Sequence, residues 1–246
     1  MRLLLLILSF VTTAHAGELR VVSYNIHAGR GMDGKVDLKR IAEVIRREKP
    51  DLVALQEVDK FVSRSGNVDI AKELATLLGM HHAFGKTIDL GRGEYGNAVL
   101  SRFPIDKSTI HRLPGEGEAR AVLQVDVMIG GKPLTFCSTH FDHRSGETRQ
   151  IQAKAMDEAL LAIGHPLIVA GDFNARPGSD TMERIATSWH LVKKLGSPLT
   201  SPASEPRAEI DYIITRNLPT EKSTSKVVEE KVASDHRPVS ATIRLP

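Results

Sequence analysis

Apolar runs bounded by turn residues alternate with stretches of helical period along most of the chain, the pattern of a mixed α and β protein. Residues 19–24 read as the first strand. Residues 38–48 read as a helix, with Ile41, Ala42, Val44 and Ile45 on its apolar face and Pro50 as its stop. A short buried strand over 52–56 and a helix over 70–78, ended by Gly79, follow. Strands then crowd together at 98–101, 121–129 and 132–139, and Gly130-Gly131 supplies a two-residue hairpin turn between the last two. The middle section is therefore expected to be antiparallel. A helix over 148–163, a strand over 167–170, a helix over 179–187 and strands over 210–215 and 239–244 complete the pattern. Gly, Pro and Ser concentrated between positions 196 and 206 predict a surface loop.

The first sixteen residues read differently. Arg2 precedes an apolar run over 3–11, and Ala14-His15-Ala16 offers a small-x-small cleavage site. The run is about half of the roughly 20 apolar residues that span a bilayer, so residues 1–16 are expected to be a signal peptide and 17–246 the folded domain. A secreted or periplasmic bacterial protein is the corresponding expectation. The single cysteine, Cys137, lies in an apolar run, so no intrachain disulfide can form and a packing role is expected. Lys and Arg number 33 against 30 Asp and Glu, too even a balance for a dedicated nucleic-acid binder, and no basic stripe is visible.

Polar residues stand at the ends of apolar strands in six places: Ser23-Tyr24-Asn25, Leu55-Gln56-Glu57, Gly96-Asn97-Ala98, Ser138-Thr139-His140, Gly171-Asp172-Phe173-Asn174, and Ile210-Asp211-Tyr212 with Ser234-Asp235-His236. Taken singly, each has an ordinary explanation. Glu57 could be a helix cap or surface acid, or a hard oxygen donor at a strand mouth suited to an octahedral cation. Asp172 and Asn174 are two apart across Phe173, so extended backbone would aim both one way with the ring in the core; an Asx turn after a strand is the alternative. Strict alternation puts Asp211 opposite the Ile210 and Tyr212 face. Arg120 and Arg149 could each grip a phosphate bidentately or form common salt bridges. Asp142 and His143, beside His140, fit a pocket wall or an exposed loop equally well.

In their order, these segments resemble the strand-end motifs of the endonuclease/exonuclease/phosphatase superfamily, the group that includes DNase I and exonuclease III. The resemblance covers nearly all of the domain, and GDFN followed by SDH is its most specific part. It implies a four-layer α/β sandwich, two mixed β-sheets packed face to face with helices outside, and hydrolysis of a P–O bond with magnesium, manganese being the substitute. On the same resemblance Glu57 is the principal metal ligand, Asn25 assists it and Asp235 is a further metal-site carboxylate. Asp172 orients or deprotonates water and Asn174 holds a phosphate oxygen. Asp211 fixes His236, His140 is a second histidine toward the phosphate or leaving oxygen, and Asn97 belongs to the rim with Arg120 and Arg149 as substrate contacts.

The segment Gly91-Arg92-Gly93-Glu94-Tyr95-Gly96 has the spacing of a dinucleotide-binding loop, but a strand follows it where that loop needs a helix. The chain has no Walker A or G-x-S-x-G pattern. A near-even charge balance and few aromatic residues weaken duplex binding and single-strand stacking. The expected partner is thus a phosphate ester: nucleic acid, phospholipid headgroup or small phosphodiester. A catalytically silent binding module on the same scaffold is the competing class, which fold alone does not exclude.

Overall fold

The computed structural model describes residues 17–246, and the signal peptide expected over 1–16 lies outside the described residues. Strands and helices follow in the order β1 (Glu18–Asn25), α1 (Leu38–Glu48), β2 (Leu52–Lys60), α2 (Ile70–Leu78), β3 (His81–Leu90), β4 (Gly93–Ser101), β5 (Ile105–Leu113), β6 (Arg120–Ile129), β7 (Lys132–His140) and α3 (Gly146–Leu160). Then come β8 (Leu167–Asp172), α4 (Asp180–Ser188), β9 (His190–Leu191), β10 (Lys194–Leu195), β11 (Asp211–Arg216), β12 (Thr224–Val227) and β13 (Val239–Arg244). Each α-helix among the described residues is started by a side chain that accepts a first-turn N–H: Asp37, Asp69, Ser145 and Ser179. Ser145 starts α3 two residues ahead of the expected position.

Seven strands form one sheet in the order β10-β12-β13-β1-β2-β4-β3, and six form the other in the order β5-β6-β7-β8-β11-β9. Each sheet holds a parallel pair joined through a helix, β1-α1-β2 in one and β7-α3-β8 in the other, while β3 with β4 and β5 through β7 are antiparallel. Three apolar clusters account for the four expected layers. Leu19, Val21, Leu52, Ala54, Phe136 and Ile168 fill the space between the sheets. Val22, Tyr24, Val53 and Leu55 pack outward on Ile41, Ile45 and Leu74 of α1 and α2. Cys137, Val169 and Ile214 pack outward on Met156 and Leu160 of α3 and Met182 of α4. Buried Cys137 thus has the packing role its sequence position suggested.

Alternation along the strands is what builds the site. On β1 the positions facing the other sheet are Leu19, Val21, then Ser23 and Asn25; on β8 they are Ile168, Ala170, then Asp172; on β7 they are Leu134, Phe136, then Ser138 and His140. The inner faces are apolar at one end of the strands and polar at the other. Cross-sheet hydrogen bonds tie that polar end: Gln56 Nε2 donates to Ser138 Oγ at 3.1 Å, Ser138 Oγ to the Leu55 carbonyl at 2.9 Å, and Asn97 Nδ2 to the Ala121 carbonyl at 3.0 Å.

Gly171 has no room for a side chain, since a Cβ there would meet the Thr139 carbonyl oxygen at 2.1 Å on the neighbouring strand. Gly171→Ala is expected to destabilise the protein by about 1–3 kcal/mol through overpacking, read as a lowered urea midpoint. A midpoint equal to that of the wild type would refute the close β7–β8 approach.

Candidate active site

Registry between strands sets three of the predicted residues side by side. Asp172 at the end of β8 is flanked by His140 at the end of β7 and by Asp211 at the start of β11, and all three sit on the inner face. In the other sheet Asn25 pairs with Gln56. Two rows of polar side chains from opposite sheets therefore meet at one end of the cleft, around a cavity of about 380 Å³ lined by Glu57, His140, Asp172, Asn174 and His236 among others. A second cavity, about 410 Å³ and mostly apolar, lies at the opposite end of the strands between Leu19, Leu134, Pro166 and Leu245 and holds none of these groups.

Glu57 reaches the cavity by a local distortion. The sequence pattern ends its strand at position 56, but β2 continues to Lys60, and strict alternation would turn Glu57 outward with Val53 and Leu55 toward the helices. A register shift against β4 between Leu55 and Val58 returns Val58 to the outward cluster and puts Glu57 at the cavity with φ of +56°. This is a β-bulge re-aiming a side chain. Asn174 is likewise left-handed, with φ of +48°, and its N–H donates to Asp172 Oδ1 at 2.9 Å. The extended geometry expected for Asp172 and Asn174 is thus corrected: an Asx turn joins them, and it still leaves both on the cavity wall. Phe173 between them does enter the core, edge-on to Phe141 and Tyr212.

Asn25 is almost fully buried. Its Nδ2 donates to Glu57 Oε1 at 3.0 Å and to Asp172 Oδ2 at 3.2 Å, while its Oδ1 accepts the His27 N–H. Asn25 thus clamps two carboxylates, and its oxygen, which accepts one hydrogen bond, keeps a second lone pair that could serve a cation. Both carboxylate oxygens that face this one amide are hard donors, the set a magnesium-like ion takes. Asp172, Asp211 and His236 also bring donor atoms within 4.8 Å of one another, and His236 Nδ1 and Asp211 Oδ2 are engaged with each other. Glu57, half-exposed at the cavity, is the better placed ligand.

His236 Nδ1 lies 2.9 Å from Asp211 Oδ2 and its Nε2 lies 3.8 Å from Asp172 Oδ2. Burial by itself would lower its pKa, but Asp211, Asp172, the Asp211 hydrogen bond and Asp235 outweigh burial and push it up to about 10. Asp172 is raised to about 7, by burial first and by Asp211 second, against the opposing pull of His236 and the hydrogen bonds from Asn174 and Asn25. His140 is driven well below the usual histidine value by burial, then by Arg120, His236 and His143. One imidazole of the site is therefore cationic and the other neutral at neutral pH.

Four predicted residues are placed otherwise than expected. Asn97 is buried behind the cavity wall, its amide given to the Ala121 carbonyl, because β4 carries it one step deeper than Tyr95. Arg149 is on α3 and donates to the Asp142 carbonyl at 2.9 Å; it is not on the cavity wall. Asp235 is half-exposed, facing Ser234 Oγ at 3.3 Å and His27 Nδ1 at 3.8 Å, outside the lining. Arg120 does line the cavity, but its Nη1 faces His140 Nδ1 at 2.9 Å and Glu118 Oε1 at 2.8 Å, and its Nη2 faces His143 Nδ1 at 3.2 Å. Asp142 accepts the N–H groups of Arg144 and Ser145, whereas His143 joins the wall.

Sequence reasoning missed Arg64, Ile88, Leu90, Tyr95 and Glu118 on the wall. Three of them come from the β3–β4 hairpin, whose turn is Gly91-Arg92 with Gly91 at φ of +61°. That turn is what the dinucleotide-like spacing really encodes. Arg64 is held by a two-pronged bond to buried Asp59, at 2.8 Å for each contact.

Residues 22–236 match the family model described as endonuclease/exonuclease/phosphatase family. The Escherichia coli K12 protein YbhP is 28% identical over 93% of this chain and 97% of its own length. A crystal structure of an endonuclease/exonuclease/phosphatase from Beutenbergia cavernae is similar at 27% identity, with a TM-score of 0.74 over 93% of this chain and 72% of that one. The Staphylococcus aureus beta toxin, crystallised as a double mutant with bound magnesium ions, shares the fold at 15% identity, with a TM-score of 0.76 over 91% of this chain and 99% of that one. The chain belongs to the endonuclease/exonuclease/phosphatase family, metal-dependent enzymes that hydrolyse phosphate esters.

Proposed function

We propose that the protein is an exported, magnesium-dependent phosphoesterase that cleaves a P–O bond by in-line attack of an activated water. The observation that carries this reading is the convergence of Glu57, His140, Asp172, Asn174 and His236 on one cavity from two sheets. Glu57 is the residue that would hold the ion, with manganese as a substitute, and Asn25 sets its carboxylate against Asp172. When bound, a divalent cation supplies neutralising charge to the phosphoryl oxygens and the leaving group. The magnesium of the structurally similar beta toxin supports that choice. Export rests on Arg2, the apolar run over 3–11 and Ala14-His15-Ala16.

The protein's own groups divide the remaining work. Asp172, as a carboxylate, orients the water and takes its proton; a pKa near neutrality suits a general base. The His236 imidazolium, held by Asp211, faces the phosphoryl oxygens as a fixed positive charge. Asn174 gives one amide hydrogen to the Phe141 carbonyl at 3.1 Å and has a second for a phosphate oxygen. His140 faces the same phosphate with a neutral ring.

Two measurements test this reading. Activity on bis-p-nitrophenyl phosphate should vanish in EDTA, return with magnesium or manganese, and fall by about 10² or more in Asp172→Ala; nucleic acids, phospholipids and inositol phosphates run as a panel then name the substrate class. Hydrolysis that ignores chelation sinks the proposal. In the metal-loaded enzyme kcat/KM should rise on the acid side as Asp172, raised to about 7 in the metal-free site, loses its proton, at a pH that a cation on Glu57 moves lower, and fall on the alkaline side where His236, raised by Asp211 and Asp172, loses its own. Asp211→Asn removes the strongest influence holding the His236 proton, so its alkaline limb should move to lower pH; a limb that stays in place removes His236 from the mechanism.

A further inference from the structure

We infer that Arg120 is a positioning residue, which sets the tautomer of His140 so that its single proton is on Nε2 and directed at the reacting phosphate. A guanidinium carries only N–H donors and has no lone pair to offer. Its Nη1 is 2.9 Å from His140 Nδ1, so that ring nitrogen must be the acceptor and cannot carry hydrogen. In a ring with one proton, the proton is then on Nε2, the nitrogen that faces Asp172 Oδ2 at 3.5 Å and the cavity.

Arginine is the less usual choice for this task. A carboxylate or carbonyl beside Nδ1, as Asp211 is beside His236, leaves the proton on Nδ1 and turns Nε2 into a base or makes the ring an imidazolium. A cation beside Nδ1 does the reverse: it disfavours the imidazolium and keeps Nε2 a neutral donor. The two histidines of the cavity are thus wired in opposite senses by their partners. Burial prevents water from undoing this, since Arg120 and His140 are both nearly inaccessible. Glu118 Oε1, 2.8 Å from the same Nη1, offsets the guanidinium charge, and Nη2 is taken by His143. His143 has Arg144 Nε at 3.4 Å from its other nitrogen, so donors approach both sides of that ring and only His140 is locked. Nη1 and Nη2 each give a hydrogen to a histidine, so this edge of Arg120 is committed to His140 and His143.

The kinetic part of the inference rests on the proposed phosphoesterase reading; the tautomer does not. A long-range nitrogen–proton NMR spectrum of the histidine-labelled protein should show His140 with its proton on Nε2. Arg120→Met, which keeps bulk and removes the donors, should populate both tautomers and lower kcat by about 10- to 100-fold with KM within about threefold; Arg120→Lys should restore the Nε2 proton and recover most of kcat. The inference fails if His140 of the wild type carries its proton on Nδ1, if Arg120→Met leaves the tautomer unchanged, or if that variant raises KM at constant kcat as loss of a phosphate contact would. Should Arg120→Met not fold, the wild-type and Arg120→Lys spectra decide. An inactive protein with an intact Nε2 proton would count against the proposed function and leave the lock standing.

Discussion

The site depends on keeping the buried ion pair of His236 and Asp211 at the floor of the cleft, beside a second buried carboxylate. Two buried carboxylates one strand apart repel each other, and removing either from water costs several kcal/mol. The imidazolium between them offsets that cost, which is why His236 holds its proton so firmly while Asp172 is left near neutrality. Remove the positive ring and Asp172 has no reason to ionise; remove Asp211 and the ring has little reason to stay charged. The reactivity of the site is thus shared among three groups.

Such a cluster can exist only where the scaffold is rigid enough to hold it. Each sheet places its polar residues at the ends of strands whose other inner-face positions are Leu, Val, Ile and Phe, so the apolar core anchors the backbone that carries the charges. Where regular strand geometry would aim a side chain wrongly, the chain departs from it. Glu57 and Asn174 both adopt left-handed backbone, a conformation that costs a non-glycine residue on the order of 1 kcal/mol or more and persists when the surroundings require it. These departures coincide with the cavity wall and supply its half-buried polar groups.

The wall opposite the charged cluster is of another character. Ile88, Leu90 and Tyr95 from the β3–β4 hairpin, with Arg64 and Glu118, line the cavity beside it. The charged cluster suits a phosphate, whereas this hairpin gives the same cavity an apolar side. Neutral His140 stands between the two, its orientation dictated by Arg120 from behind.

The sequence by itself determined the layer architecture, most helices and strands, and the identity of the main polar cluster, because period-two alternation and the order of strand-end motifs are local properties. It carried less about β3 and β5, whose many exposed positions blur alternation, and about the extent of β2, whose bulge breaks the period. That Asn25 clamps two carboxylates, that Arg120 meets His140, and that Asn97, Arg149 and Asp235 stand off the cavity wall were decided only by tertiary structure. Those outcomes turn on which atoms of distant strands come within about 3 Å of each other. Residue type limits what a side chain can donate or accept; only packing chooses the partner.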